Sequence, residues 1–183
     1  MTSLADHHRM IITECCTEIG CKITAHAIYI SLSKSRLYHY NSWLLSKSYV
    51  ISYSRKPISQ LKDSLGTPLG LHEIIEKYGD NLPPGTILKG RVATNKTYFD
   101  LDPSEQKGNY VTTRILRLSG LQQGFNKGGN CDSYERYIYI HGTIHDEKIG
   151  ERISNGCICM KTNDLIELYD IVPCGSLVMI AND

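Results

Sequence analysis

No run of apolar residues in this 183-residue chain approaches the roughly 20 that a membrane-crossing helix needs, so no integral membrane segment is expected. No polybasic stretch is present either. Lys and Arg total 20 against 19 Asp and Glu, a formal net charge of +1, which lacks the footprint of a nucleic-acid binder or of a protein held on anionic lipid. The opening residues lack the apolar core of a Sec leader, because Asp6, His7, His8 and Arg9 interrupt it. Internal repeats and low-complexity linkers are absent too. What is there, 41% apolar and 21% charged residues, is a globular mix long enough to bury a core without disulfide staples, and it fits one domain with a short extension.

The seven cysteines are an odd number, so at least one thiol stays free in a monomer. Cys157 and Cys159 form a C-x-C pair, and no second pair at finger spacing accompanies them, so no metal and no cofactor is expected. Cys15, Cys16 and Cys21 lie in an apolar-patterned segment, where inert packing thiols are the simplest reading.

Apolar residues at helical spacing over positions 4–20, ending at Gly20, predict one early helix. From Ala27 the period changes to two. Short strands are predicted at 28–33, 36–40, 44–52, 111–118, 137–140 and 176–180, with turns at 66–70 and 82–85 and a loop over 120–130. Residues 71–77 read as either a short helix or a strand. A second helix is predicted at 163–170 with Asn163 as its cap. The expected architecture is mainly β, with a helical extension over residues 1–25 and a single domain over 26–183.

Two features can carry chemistry. His141 ends a predicted strand just before Gly142, and Cys157 follows Ser154, Asn155 and Gly156 sixteen positions later. A thiol has a free pKa near 8.5 and needs a base beside it to act as a nucleophile, for which His is the usual partner. A glycine before the nucleophile lets backbone amides approach a developing oxyanion. By residue type alone, His141 and Cys157 read equally well as core residues, and Tyr134, Tyr137 and Tyr139 read as sheet packing. Arg114 and Arg117 are weak candidates for holding a substrate carboxylate.

The wider pattern is more specific. The segments 137–143, 154–160, 164–172 and 175–180, in that order, resemble the YkuD-type L,D-transpeptidase domain, with its His-Gly segment, its Ser-x-Gly-Cys-x-x-Met block, a following helix and a terminal strand. Residues 28–40 and the turn from Thr67 to Gly70 are similar to the family's opening, so the resemblance spans about residues 26–181. It implies a β-sandwich or barrel-like catalytic domain that remodels peptidoglycan, with stem peptides as acyl donor and acceptor. Cys157 would be the nucleophile and His141 its base. Gly142 would orient the imidazole through its carbonyl, and the amides around Asn155, Gly156 and Cys157 would form the oxyanion hole. Ser154, Cys159 and Arg114 would be lesser substrate contacts.

Two positions depart from the family pattern. Asn155 stands where His is frequent, and Cys159 stands where Arg or Asn is usual; an Arg could grip a stem carboxylate in a way that a thiol cannot. Three alternatives stay open at this point: an L,D-carboxypeptidase or linkage hydrolase using the same pair, a degenerate domain that only binds stems, and an unrelated cytoplasmic cysteine hydrolase. The resemblance implies the cell envelope, whereas the lack of a leader leaves the cytoplasm open. The oligomeric state is not legible.

Overall fold

A computed structural model describes residues 3–183, for Lys107 the backbone only, so the first two residues of the expected extension lie outside the described residues. The elements are, in chain order, α1 (Leu4–Ile19), β1 (His26–Ser31), β2 (Arg36–Asn41), β3 (Leu44–Val50), β4 (Tyr53–Ser54), β5 (Gly70–Tyr78), β6 (Thr86–Lys89), β7 (Val92–Thr97), β8 (Val111–Gly120), β9 (Tyr139–Gly142), β10 (Arg152–Ser154), β11 (Ile158–Met160), α2 (Thr162–Ile171) and β12 (Leu177–Ala181). The fold is mainly β, as the pattern predicts. Neither helix is long and apolar enough to cross a membrane.

One large sheet runs in the order β11-β9-β8-β5-β12-β1-β2-β3, and the β6–β7 hairpin is attached to β8. Its two faces are set by period-two alternation. Ile28, Ile30, Val178 and Ile180 point into one core with Leu165, Leu168 and Tyr169 of α2. Ala27, Tyr29, Leu177 and Met179 point into a second core with Ile12, Cys15 and Cys16 of α1. The N-terminal helix therefore covers one sheet face rather than trailing from it. Ser3 caps its first turn by accepting from the Asp6 amide at 3.1 Å, and Gly20 ends it in the left-handed region at φ 72°.

Residues 71–77 resolve as strand: β5 runs antiparallel between β12 and β8. The second helix begins earlier than predicted, and Asn163 is not its cap. Lys161 holds the cap position without a side-chain bond, while the Asp146 carboxylate, reaching in from a distant loop, accepts the Thr162 amide at 3.0 and 3.2 Å. Local sequence cannot show a cap supplied from sixteen residues away. The β6–β7 hairpin and the short strands β4, β10 and β11 were also not predicted, since their few residues carry no clear alternation.

Candidate active site

His141 lies on β9, and the strand beside it, β8, is irregular at that level. Thr112 pairs with Gly142 and Ile115 with His141, so Thr113 and Arg114 form a bulge between them. Thr113 sits at φ 70°, a strained conformation for a β-branched residue, of order 1–3 kcal/mol. Its hydroxyl oxygen accepts the Gly85 amide at 3.2 Å, which helps to hold it there. Gly142 is needed at this point: a Cβ on it would stand 2.8 Å from the Thr112 carbonyl oxygen.

The imidazole of His141 is buried. Its Nδ1–H donates to the Gly142 carbonyl at 2.7 Å, which fixes the tautomer and leaves Nε2 as an acceptor. Burial lowers the pKa of the ring, and the Gly142 carbonyl partly opposes that.

The Cys157 turn is closed by its own serine. Ser154 Oγ donates to the Cys157 carbonyl at 2.6 Å and accepts the Gly156 amide at 3.2 Å. Gly156 has φ +125°, a conformation that only glycine takes without strain. Asn155 Oδ1 accepts from Arg55 Nε and Nη2 at 3.2 and 3.0 Å, so the side chain that replaces the frequent histidine is tied to an arginine before the turn. Cys157 is half-buried and packs against Leu88, Ile115 and Tyr139. Its Sγ lies 3.4 Å from the Tyr137 carbonyl. Burial pushes the thiol up to about 11, offset in part by the Tyr139 backbone and Arg136.

β11 runs parallel to β9 and sets Cys159, not Cys157, opposite His141. Cys159 Sγ is 3.9 Å from His141 Nε2, and no hydrogen bond joins Cys157 to His141 among the described residues. The two thiols differ in access. Cys159 is only 1% exposed, so it is a packing neighbour of the imidazole and cannot be a surface contact for substrate. Its burial also raises its pKa.

Arg114 is not brought to this site. Its guanidinium donates to the Leu82 and Thr113 carbonyls and lies over Tyr169, on the α2 face of β8. Arg117 is paired with Glu76 at 2.9 Å and stacked on Tyr134. Sequence reasoning missed Tyr137 and Tyr139. Rather than only packing the sheet, they line a pocket of about 370 Å³ formed with Leu88, Arg91, Val111 and Ile115. A second pocket of about 200 Å³ on the other side of Tyr137 reaches Asn155 and is lined by Lys62, Asp63, Glu135 and Arg136. Tyr137, at φ 56°, gives away its place: it leaves the strand that the pattern predicted from 137, and its side chain is half exposed.

The candidate site thus consists of a buried strand-end histidine, a glycine-turn thiol and two clefts that share one tyrosine. The family model for the L,D-transpeptidase catalytic domain, YkuD, matches residues 25–180, and the chain belongs to that family. Two curated Bacillus subtilis proteins named as L,D-transpeptidases are similar over shorter stretches. YqjB is 41% identical over 48 residues (26% of this chain, 27% of that protein), and YkuD is 42% identical over 60 residues (30% and 37%). The matched stretches thus span well under half of either relative. An L,D-transpeptidase structure from Mycobacterium smegmatis shares the fold at TM-score 0.52 and 15% identity, covering 86% of this chain and 58% of that one. One from Enterococcus faecium does so at TM-score 0.52 and 15% identity, covering 87% and 50%.

Proposed function

We propose that the protein is a cysteine-dependent peptidoglycan L,D-transpeptidase that acts on tetrapeptide stems through a thioester on Cys157. The observation that carries this is the half-buried Cys157 thiol, held in a serine-closed glycine turn and packed against residues that line a pocket, with a histidine on the neighbouring strand whose Nδ1–H is fixed and whose basic nitrogen is Nε2. Burial pushes the Cys157 thiol up and keeps it protonated at neutral pH, so attack requires proton removal as the bond forms. His141 Nε2 takes that proton. The distance has to close from the resting arrangement, in which Nε2 faces Cys159, as catalytic contacts commonly tighten on substrate binding.

The sulfur then adds to the carbonyl of the third stem residue. The oxyanion is stabilised by backbone amides of the turn. The Gly156 amide is already committed to Ser154 Oγ, which leaves those of Asn155 and Cys157 for that role. The amine of the terminal D-residue departs with the proton held by His141, and a thioester remains. An acceptor amine from a second stem releases the acyl group and regenerates the thiol; water in its place would make the same site a carboxypeptidase. Members of the family work in general in the cell envelope, and that is the compartment proposed for this chemistry.

One observation favours a second reading. With Nε2 turned to Cys159, the chain has the form expected of a domain that binds stems without reacting. Incubation with a carbapenem, followed by peptide mass spectrometry, separates the two. An adduct on Cys157, absent from Cys157→Ala, supports acyl transfer; no adduct, with retained stem binding, supports the second reading.

A further inference from the structure

We propose that Arg91 is the residue that recognises a free carboxylate of the donor stem, in the pocket beside Cys157. The inference rests on the stem-acylation reading above and names the substrate feature that the site selects. Cys159 stands where the resemblance has Arg or Asn, and it is buried, so it offers no charge to a carboxylate.

Arg91 lies at the tip of the β6–β7 hairpin, whose ends pair Lys89 with Val92. Gly90 and Arg91 have φ of 54° and 70°, the two positive values of a type I′ turn. Glycine or asparagine fills such positions without difficulty, whereas an arginine in the left-handed region is strained. The strained residue is also the one whose head group enters the pocket wall. Three tyrosines hold it there. Arg91 Nη1 donates to Tyr139 Oη at 3.1 Å, and the guanidinium lies 5.9 Å from the Tyr78 ring and 5.5 Å from the Tyr137 ring.

The local charges do not balance. Arg91 and Arg117 both lie over Tyr137, and Glu76 is the carboxylate nearby. Both oxygens of Glu76 are taken: Oε2 accepts from Arg117 and Tyr78, and Oε1 accepts from Tyr134. Among the described residues no carboxylate lies within ion-pairing distance of Arg91. A guanidinium pre-positioned on aromatic rings, at the rim of an apolar pocket and without an internal counter-ion, matches a carboxylate ligand. Leu88, Ile115 and Tyr139 form the pocket wall and also pack against Cys157, so a stem acylating that thiol presents its carboxylates within this neighbourhood.

A tetrapeptide stem offers that group in two places, the side chain of its third residue and its terminus. The test is calorimetric binding to the full chain carrying Cys157→Ala, with and without Arg91→Gln, of three synthetic stems: both carboxylates free, the third-residue side chain amidated, and the terminus amidated. Arg91→Gln is expected to weaken the free stem by about 10- to 100-fold and to have no further effect on the stem whose relevant carboxylate is already amidated. Arg91→Lys should recover part of the loss. A loss equal for all three stems, no loss, or no binding of any stem overturns the proposal. Turnover of the free stem by the chain with Cys157 intact is measured in parallel. Arg91-dependent binding without any Cys157 adduct would sink acyl transfer alone, and turnover with Arg91-independent binding would sink the role of Arg91 alone.

Discussion

Cys157 and Cys159 are two residues apart, yet the structure gives them opposite surroundings. One thiol is half-buried beside residues that line a pocket; the other is sealed against His141. Access decides which can carry an acyl group, so Cys157→Ala should abolish carbapenem acylation, while Cys159→Ala should change its rate by less than about threefold; rapid mixing with mass detection reads both. His141→Ala should slow acylation by the ~10²–10⁴-fold typical of a lost base. Burial lowers the His141 pKa, so the neutral, proton-accepting imidazole persists below the ordinary value of about 6.5. The acid limb of kcat/KM should accordingly fall below pH 6.5, and a limb at or above that value would mean that another group titrates. Both residues were legible in the sequence as a pair. Their geometry was not, because the register of β11 against β9, which sets Cys159 rather than Cys157 opposite the imidazole, is written in no local pattern.

At the scale of elements, the loop joining His141 to Cys157 also starts α2. Asp146 accepts the Thr162 amide through both carboxylate oxygens, and an anion at a helix N-terminus is favourable. Removing it leaves that amide without its partner. Asp146→Ala should cost about 0.5–2 kcal/mol in urea unfolding, and Asp146→Asn less, since the amide oxygen still accepts. Gly156→Ala should be more damaging to function than to stability. It strains the turn at φ +125° by about 1–3 kcal/mol and displaces the amides beside Cys157, so acylation should fall further than a urea midpoint would suggest. The helices and most of the longer strands were readable because each repeats its apolar period over several turns or pleats; β5, whose residues 71–77 fit a helix or a strand, was not. The bulge at Thr113 and the Gly90–Arg91 hairpin were not: Thr113 and Arg91, residue types that usually avoid left-handed backbone, adopt it there.

Across the whole molecule, the two cores meet through one sheet, and buried histidines tie parts of it together. His72 on β5 is fully enclosed, with Nδ1 bonded to the Gly70 carbonyl and Nε2 to Ser133 Oγ, both at 2.9 Å. Burial lowers its pKa to about 4. Below pH 6.5 the unfolded chain therefore binds a proton that the native state refuses, and stability falls as pH drops from about 6.5 toward 4. The loss from His72 alone is on the order of 3 kcal/mol by pH 4. His8, on the buried face of α1 and lowered by burial to about 4 as well, acts with the same sign. Urea midpoints at pH 7.0, 5.5 and 4.5 should decline for the unmodified chain and decline less steeply for His72→Gln; equal slopes would remove His72 as a cause.

The sequence by itself determined the mainly β class, the first helix with its glycine stop, and the His141–Gly142 and Ser154–Cys157 blocks. Each of these depends on neighbours along the chain, through side-chain period, backbone φ or the chemistry of a turn. Tertiary structure alone decided which side chains face one another. It packed α2 on the face of β8 that Arg114 shares with Leu116 and Leu118, away from Ile115 and the Cys157 side. It sealed Cys159 and set Tyr137 between two clefts. It also brought Arg91, 66 positions before Cys157, to the same pocket wall by attaching a short hairpin to β8. Such pairings are set by sheet register and by packing between distant segments, where the energy depends on shape and charge in space and leaves no periodic trace along the chain.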